Sequence, residues 1–194
     1  MALSRLAIAA SVSATLSGCA SLFPADYGRS YSPGLGCFVI GWGDQPNNTT
    51  TRTSSVLFQG VGSGKYGVVK FSHMALESLA DGPLFTDSDG HGIVTARYVP
   101  PGTYQLYEPA IYWTQYPMVY TLKPRTPVSI PFQVKANECT YVGRFLMNTV
   151  KPEFLWLNRK DADLKVIATE LPKDMKAFNE VLTPKPIGDF IVTE

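Results

Sequence analysis

The stretch that decides the fold is residues 86–106, TDSDGHGIVTARYVPPGTYQL. It holds two turn signals, DSDG at 87–90 and PPG at 100–102, and each is followed by strand-forming residues. Gly tolerates positive φ and Pro fixes φ at a turn value, so both signals reverse the chain. After the second turn, Tyr104 and Leu106 alternate with polar residues, as in a strand with one buried face. The stretch predicts paired strands joined by tight turns.

Similar runs recur on both sides of this stretch. Apolar, β-branched and aromatic residues dominate eight segments, at 37–42, 55–59, 66–72, 93–98, 103–107, 118–122, 128–134 and 140–147. Groups rich in Gly, Pro, Asn and Asp separate many of them. Many short strands with frequent turns are typical of a mainly β fold, and we predict an antiparallel β-sandwich. Pro131 lacks a backbone donor and predicts an edge strand or a bulge in its segment.

The C-terminal part of the chain has a different pattern. Residues 161–170 and 173–182 contain better helix formers, and apolar residues such as Leu164 and Ile167 are spaced for one helical face. Pro172 separates the two segments because it cannot continue the first helix. The pattern predicts one or two short helices beside the sandwich.

Two segments resemble a known class of domain. Residues 86–106 resemble the turn, strand, turn and strand of transthyretin-like domains, which are related to carboxypeptidase-regulatory-like modules. Residues 132–143, FQVKANECTYVG, resemble the penultimate strand, turn and last strand of uncharacterised bacterial lipoproteins with such a sandwich. The resemblance covers roughly residues 36–180 and implies a transthyretin-like or Ig-like sandwich. It carries no catalytic group, so it implies no activity.

The N-terminus has the order of a secretory signal. Residues 1–18 contain one early cation, Arg5, an apolar stretch at 6–16 and two small residues. The apolar stretch is shorter than the roughly 20 residues that span a bilayer. The sequence LSGC at 16–19 resembles the bacterial lipobox, which implies cleavage before Cys19 and lipid on its thiol. The alternative is an ordinary secretory signal, with Cys19 an incidental free thiol.

These observations predict a signal peptide at 1–18, a lipidated tether at 19–35 and a sandwich domain at 36–194, with a helical appendage from about residue 160. Two or more acyl chains hold a protein stably at a membrane, so the lipid would be its membrane attachment. Ala20 and Ser21 replace the aspartate that, by resemblance, retains lipoproteins at the inner membrane. We therefore expect an outer-membrane protein that faces the periplasm.

The charge excludes one class of partner. The chain has 17 Lys and Arg against 16 Asp and Glu, a net charge of +1, and no cluster of basic residues. A polyanion such as nucleic acid needs a basic surface, so nucleic-acid binding is not expected.

The cysteines other than Cys19 are Cys37 and Cys139. A periplasmic location permits disulfides, and each of the two residues lies in or beside a predicted strand. A bond between them would stabilise the fold by about 4 kcal/mol in the chain-entropy model. The alternative is two separate buried thiols that act as small hydrophobic residues.

Candidate chemistry is sparse. Asp87, Asp89 and His91 alternate as the first ligands of a calcium loop do, but the further ligands that such a loop needs are missing. This pattern favours a solvated turn, with metal binding the weaker alternative. The histidines are His73 and His91, so zinc is weaker still. No nucleophile motif such as G-x-S-x-G is present, and we expect a protein that is not an enzyme and binds no cofactor.

Aromatic residues supply the candidate binding surface. Tyr112, Trp113 and Tyr116 lie between Pro109 and Pro117, a spacing that suggests a projecting loop. Tyr and Trp combine large contact area with a polar tip, as recognition surfaces require. The alternative is that these residues simply favour strands.

The sequence therefore predicts a lipid-anchored interaction or scaffold protein of the cell envelope, with an envelope protein as its partner. The rival function is a carbohydrate- or peptide-binding module that serves uptake or envelope assembly. The rival predicts a concave aromatic groove, whereas a scaffold predicts a flat or convex patch.

Overall fold

The computed structural model describes residues 27–46, 52–72, 81–115, 118–148, 153–175, 178–180, 187–188 and 190–193. These residues form strands and one short helix. The strands are β1 Gly36–Asp44, β2 Arg52–Gly60, β3 Tyr66–Ser72, β4 Leu84–Thr86, β5 His91–Val99, β6 Gly102–Gln115, β7 Met118–Pro124, β8 Ser129–Val134, β9 Cys139–Asn148, β10 Glu153–Leu157, β11 Phe178–Glu180 and β12 Phe190–Thr193. The helix, α1, is Lys160–Ile167 and follows β10.

The strands form two six-stranded sheets. Sheet A has the order β10-β9-β1-β5-β4, and β11 pairs with the start of β9. Sheet B has the order β12-β7-β6-β2-β3, and β8 pairs with the first half of the long strand β6. Pairing is mainly antiparallel, but β9 runs parallel to both β1 and β11. The prediction of a mainly β, sandwich-like fold with a short C-terminal helix is confirmed.

Alternating side chains build the core between the sheets. In β8 the pattern is regular: Ile130, Phe132 and Val134 are buried, and the residues between them are exposed. Phe38 of sheet A packs edge-on against Phe58 and Phe132 of sheet B, with ring centroids 4.9 and 5.0 Å apart. Such aromatic pairs add to the free energy gained from burial, so they tie the two sheets together at the centre.

Sheet A also buries its outer face. All nine residues of β1 are buried, because α1 and the chain after it cover the face that points away from sheet B. Val39, Tyr141, Leu146 and Ile167 belong to this second apolar cluster.

A disulfide lies within the same outer cluster. It joins Cys37 of β1 to Cys139 of β9, and these two residues are register partners with Cα atoms 4.4 Å apart. The bond closes a loop with a sequence separation of 102. In the chain-entropy model, a bond that closes a loop of this length stabilises the fold by about 4–5 kcal/mol.

A bulge in β9 needs a glycine. The register with β1 shifts between Val39 and Ile40, and Gly143 has a φ of +121°. Trp156 of β10 covers this position and donates its indole N–H to the carbonyl of Val142 at 2.8 Å. A Cβ atom at residue 143 would lie 2.1 Å from the indole nitrogen, so a larger residue is excluded.

The structure corrects three predictions on elements. The second predicted helix is wrong, because residues 178–180 of that segment form β11 and pair with β9. Strand β6 continues to Gln115, well beyond the predicted end at 107. Strand β9 is not the last strand, since three more follow it in the chain.

The domain begins before the predicted boundary at residue 36. Tyr27 stacks on Phe58 at 5.8 Å, and the Gly28 carbonyl accepts a hydrogen bond from the Tyr98 N–H at 2.6 Å. Tyr31 packs edge-on against Tyr98. Tyr27, Gly28 and Tyr31 of the predicted tether therefore contact the domain, and partial burial of the two aromatic rings favours this packing.

Candidate functional site

The predicted aromatic surface does not form as one patch. Cys19 and Tyr116 lie outside the described residues. Tyr112 and Trp113 are consecutive in β6, so their side chains point to opposite faces of sheet B. Tyr112 is exposed, whereas Trp113 packs against the core and contacts the ring of Tyr120 at 5.7 Å. The projecting loop predicted here is wrong, since Tyr112 and Trp113 belong to a strand.

Near the end of the β6–β7 hairpin, the described strand residues nevertheless include exposed apolar side chains. Met118 is 55% and Val119 63% exposed. Tyr112 lies on the same face of the hairpin as Val119, whereas Met118 is consecutive with Val119 in β7 and points to the other face. We call Tyr112, Met118 and Val119 the hairpin patch. Its residues have no role in the core, because they point away from it or lie beyond it. Exposed apolar side chains near the end of one hairpin are compatible with a contact surface.

The hairpin patch lies far from the point where the N-terminal segment joins the domain. Tyr27, the first described residue, contacts Phe58 and Tyr104. Tyr104 is near the start of β6, and Gln115 is at its other end. Eleven residues of extended strand span about 35 Å. Tyr27 and the hairpin patch therefore lie towards opposite ends of β6.

The aspartates of the predicted metal loop form ion pairs with arginines. Asp87 accepts a hydrogen bond from Arg144 at 2.5 Å, and Asp89 accepts from Arg159 at 2.9 Å. His91 points elsewhere, with its Nε2 atom 4.0 Å from a carboxylate oxygen of Asp44. In the described part of the chain, no three His, Cys, Asp or Glu residues are placed to hold a metal ion.

Arg144 is the centre of a buried polar cluster on the outer face of sheet A. Its Nε donates to Asp163 of α1 at 3.0 Å, and a second nitrogen donates to the same carboxylate. Tyr141 donates to Asp163 at 2.6 Å, and the guanidinium lies 4.0 Å from the ring centroid of Phe85. Gly41 leaves the room for this pair, because a Cβ there would lie 2.8 Å from both side chains.

Electrostatics in this cluster favour the ionised state of Arg144. Burial lowers its pKa, but the hydrogen bonds and charges of Asp163 and Asp87 outweigh burial, so the pKa is raised overall. Burial raises the pKa of Asp87, yet hydrogen bonds from Arg144 and from backbone N–H groups lower it below its usual value. The cluster fixes α1 to the sheet, and each of its charges has a partner.

A second buried arginine lies at the edge of sheet A, beside a cavity of about 670 Å³. The walls combine β5 residues with residues from the N-terminal segment, from the chain before β4 and from α1 and its end. The lining residues are Arg29, Asp81, Gly82, Pro83, Leu84, Thr95, Ala96, Arg97, Tyr98, Ile167 and Glu170. We call this space the edge cavity.

The edge cavity lies beside the part of β5 that does not pair with β4. Strand β4 pairs only with residues 91–93 of β5. Beyond that, the Val94 N–H donates to Pro83 at 2.9 Å and the Tyr98 N–H donates to Gly28 at 2.6 Å. Alternate residues of a strand present their N–H groups to the same edge, so the Ala96 N–H also faces the cavity side.

Arg97 closes the sandwich at this edge. One terminal nitrogen donates to Thr95 at 2.7 Å, and the other donates to the Val68 carbonyl of sheet B at 3.3 Å and to Asp81. Arg29 also pairs with Asp81, at 3.1 Å. The buried Nε of Arg97 has no hydrogen-bond partner among the described residues. Burial lowers the pKa of Arg97 more than Asp81 raises it.

Sequence reasoning missed both buried arginines. A signal existed, because Arg144 and Arg97 are single cations inside otherwise apolar strand runs. A cation at such a position needs a carboxylate partner if its side chain points inward. The partners come from distant segments, so the sequence alone could not name them.

Comparison with known proteins adds no relative: no family model, no curated protein and no solved structure matches the chain. The described residues contain no helix with the length and apolar character needed to cross a membrane.

Proposed function

We propose that the protein is a lipid-anchored interaction protein of the bacterial cell envelope, held by Cys19 at the outer membrane and facing the periplasm. It acts as a scaffold and contacts an envelope protein through the hairpin patch. The observation that carries the proposal is the placement of this exposed apolar patch at the end of the sandwich opposite Tyr27. Lipobox-like residues precede the domain and support the anchor.

The placement favours a protein partner over the anchoring membrane itself. A lipid attached at residue 19 holds the Tyr27 end near the bilayer, and the sandwich then carries the hairpin patch about 35 Å away from that end. The hairpin patch lies where the paired residues of β6 and β7 end. Exposed apolar side chains favour a protein partner, because sites for small ligands are concave and carry convergent polar groups.

The test of the anchor uses a fatty-acid analogue in living cells. Replacement of Cys19 by Ala should abolish labelling, whereas the double variant Cys37→Ala/Cys139→Ala should keep it. Labelling that persists in the Cys19→Ala protein would refute the lipid anchor.

The test of the contact surface uses a photo-crosslinking residue at Val119, with Lys70 on β3 as the exposed control position. We expect one envelope protein to crosslink from residue 119 and not from residue 70. The substitution Met118→Glu should then reduce the crosslink at least fivefold in a folded protein. Equal crosslinking from both positions, or none from residue 119, would show that the patch is not the contact.

A further inference from the structure

We propose that the end of the sandwich nearest Tyr27 lies on the surface of the lipid bilayer, with Val61 in the headgroup region and Lys65 against the lipid phosphates. This inference rests on the proposed lipid anchor at Cys19. It adds a contact between the folded domain and the membrane, and it sets the orientation in which the hairpin patch meets a partner.

Turns build this end of the molecule. We call four described segments the four-turn end: residues 32–36, 61–65, 100–102 and 135–138. The Val61 N–H donates to the Thr103 carbonyl at 2.9 Å, which joins the turn between β2 and β3 to the start of β6. Gly102 pairs with Val134, so the turn that precedes β6 lies beside the turn that follows β8.

The N-terminal segment reaches the domain at the same end. The Asn137 N–H donates to the Leu35 carbonyl at 2.9 Å, which joins the turn before β9 to the residues before β1. Tyr27 contacts Phe58, near the end of β2, and Tyr104, near the start of β6. A chain that leads from Cys19 to the domain therefore arrives beside the four-turn end.

The length of this connection limits how the domain can face the bilayer. Tyr27 follows Cys19 by eight positions in the sequence. A fully extended chain of that length reaches at most about 28 Å. The strand from Tyr104 to Gln115 covers about 35 Å, so a domain that stood on its hairpin patch would hold Tyr27 beyond this reach. The bilayer is thus the partner that chain length brings to the four-turn end.

The turn between β2 and β3 presents an apolar side chain to solvent. Val61 is 61% exposed. A Cβ atom added at Gly62 or Gly64 would meet no atom beyond its chain neighbours within 4 Å, so the turn projects from the rest of the described chain. The Ser63 N–H donates to the Gly60 carbonyl at 3.1 Å and fixes the turn. An apolar side chain on a preformed turn can enter the headgroup region without the entropic cost of ordering a loop.

The charges of the four-turn end suit an anionic surface. Its four segments contain Lys65 and Lys135 as cations and Glu138 as a carboxylate, and Glu138 lies 3.8 Å from Lys135. The end therefore has a net positive charge, which anionic lipids attract. Tyr66, which is 44% exposed beside the turn, adds an amphipathic ring of the kind that is enriched at membrane interfaces.

The test uses the lipidated full chain, purified from cells and reconstituted in vesicles of phosphatidylethanolamine and phosphatidylglycerol. Val61→Cys introduces a thiol for an environment-sensitive fluorophore, since lipid would block Cys19 and a buried disulfide joins Cys37 to Cys139. Val119→Cys is the matched control, because Val119 is 63% exposed and Val61 is 61% exposed. We expect lipids with spin-labelled headgroups to quench the fluorophore at residue 61 at least threefold more than the fluorophore at residue 119.

Flotation of the vesicles separates failure of the anchor from failure of the orientation. Protein that floats with the vesicles but is quenched equally at both positions, or more at residue 119, would overturn the orientation and leave the anchor intact. Protein that does not float would refute the anchor, and the proposed orientation would fall with it.

A charge reversal tests the contact with lipid phosphates. Lys65→Glu places a carboxylate against anionic headgroups and should lower the quenching at residue 61 at least twofold. Lys70→Glu, which changes an exposed lysine within β3, should leave the quenching unchanged. In vesicles of phosphatidylcholine alone, the Lys65→Glu variant and the parent should be quenched equally. Equal quenching in the anionic vesicles would overturn the contact of Lys65 with lipid phosphates.

Discussion

The two buried arginines of sheet A have similar burial, but their pKa values are shifted in opposite directions. Arg144 is surrounded by Asp163 and Asp87, and its pKa is raised. Arg97 shares Asp81 with Arg29, keeps a spare Nε donor, and its pKa is lowered. Both sit in strands that carry apolar neighbours.

The difference lies in how completely each charge is satisfied. A buried charge is tolerated when hydrogen bonds and an opposite charge replace the water that it has lost. Removal of one partner leaves the other as an uncompensated buried charge, which is strongly destabilising. The Arg144 cluster meets this condition and therefore stabilises the packing of α1 on sheet A. The Arg97 site meets it only in part, because the buried Nε has no hydrogen-bond partner among the described residues.

The substitution expected to change the free energy of unfolding most is Arg144→Met. The change leaves the carboxylate of Asp163 buried with Tyr141 as its remaining side-chain donor, so the free energy of unfolding should fall by about 3–5 kcal/mol. Chemical denaturation measures this loss. The control is Arg159→Gln, a half-exposed arginine of the same cluster, which should cost under about 1 kcal/mol. A loss from Arg144→Met no larger than the control would show that the cluster does not fasten the helix.

The matched change at the other site is Arg97→Met. It removes the bridge to the Val68 carbonyl, but Asp81 keeps Arg29 as a partner. We expect a loss of roughly 2–3 kcal/mol in the same measurement, smaller than at Arg144. A loss at Arg97 that exceeded the loss at Arg144 would reverse the comparison.

A smaller loss of stability is expected from Gly41→Ala, which tests the packing around Arg144. Gly41→Ala places a Cβ 2.8 Å from the side chains of Arg144 and Asp163, and it should destabilise the protein by about 1–3 kcal/mol through overcrowding. In the background of Arg144→Met the same change should cost at least 1 kcal/mol less, since half of the clash is gone. Strict additivity of the two changes would argue against direct contact.

The smallest effect concerns pH. The folded pKa of Asp87 is below its unfolded value, so its carboxylate adds stability above about pH 4, and this stability is lost as the pH falls through the folded pKa. Asp87→Asn should therefore lower stability at pH 7 and flatten the loss of stability below about pH 4. Denaturant melts across this range provide the measurement. Parallel stability–pH curves for the variant and the parent would contradict the assignment.

Much of the fold follows from local sequence. The eight predicted strand runs coincide with strands, apart from Val128, which precedes β8, because alternation and turn residues act within a few positions. The short strands β4, β10, β11 and β12 were not predicted. The residues of β11 follow a helix-like pattern, and pairing with β9 overrides that preference. The Arg144 and Arg97 sites could not be predicted for a different reason. Asp163 and Asp81 contact these arginines only in the folded structure.

The parallel pairing of β1 with β9 has a consequence for how the chain folds. Residues 37 and 139 are register partners, so β1 can pair with β9 only when a segment about a hundred residues later in the chain is present. Contacts of such long sequence separation slow folding, because loop closure costs entropy before any contact repays it. Sheet B, whose β2–β3 and β6–β7 hairpins are local, can assemble first. A nascent chain cut short before residue 139 would thus leave Phe38 and Trp42 without half of their sheet and open to aggregation.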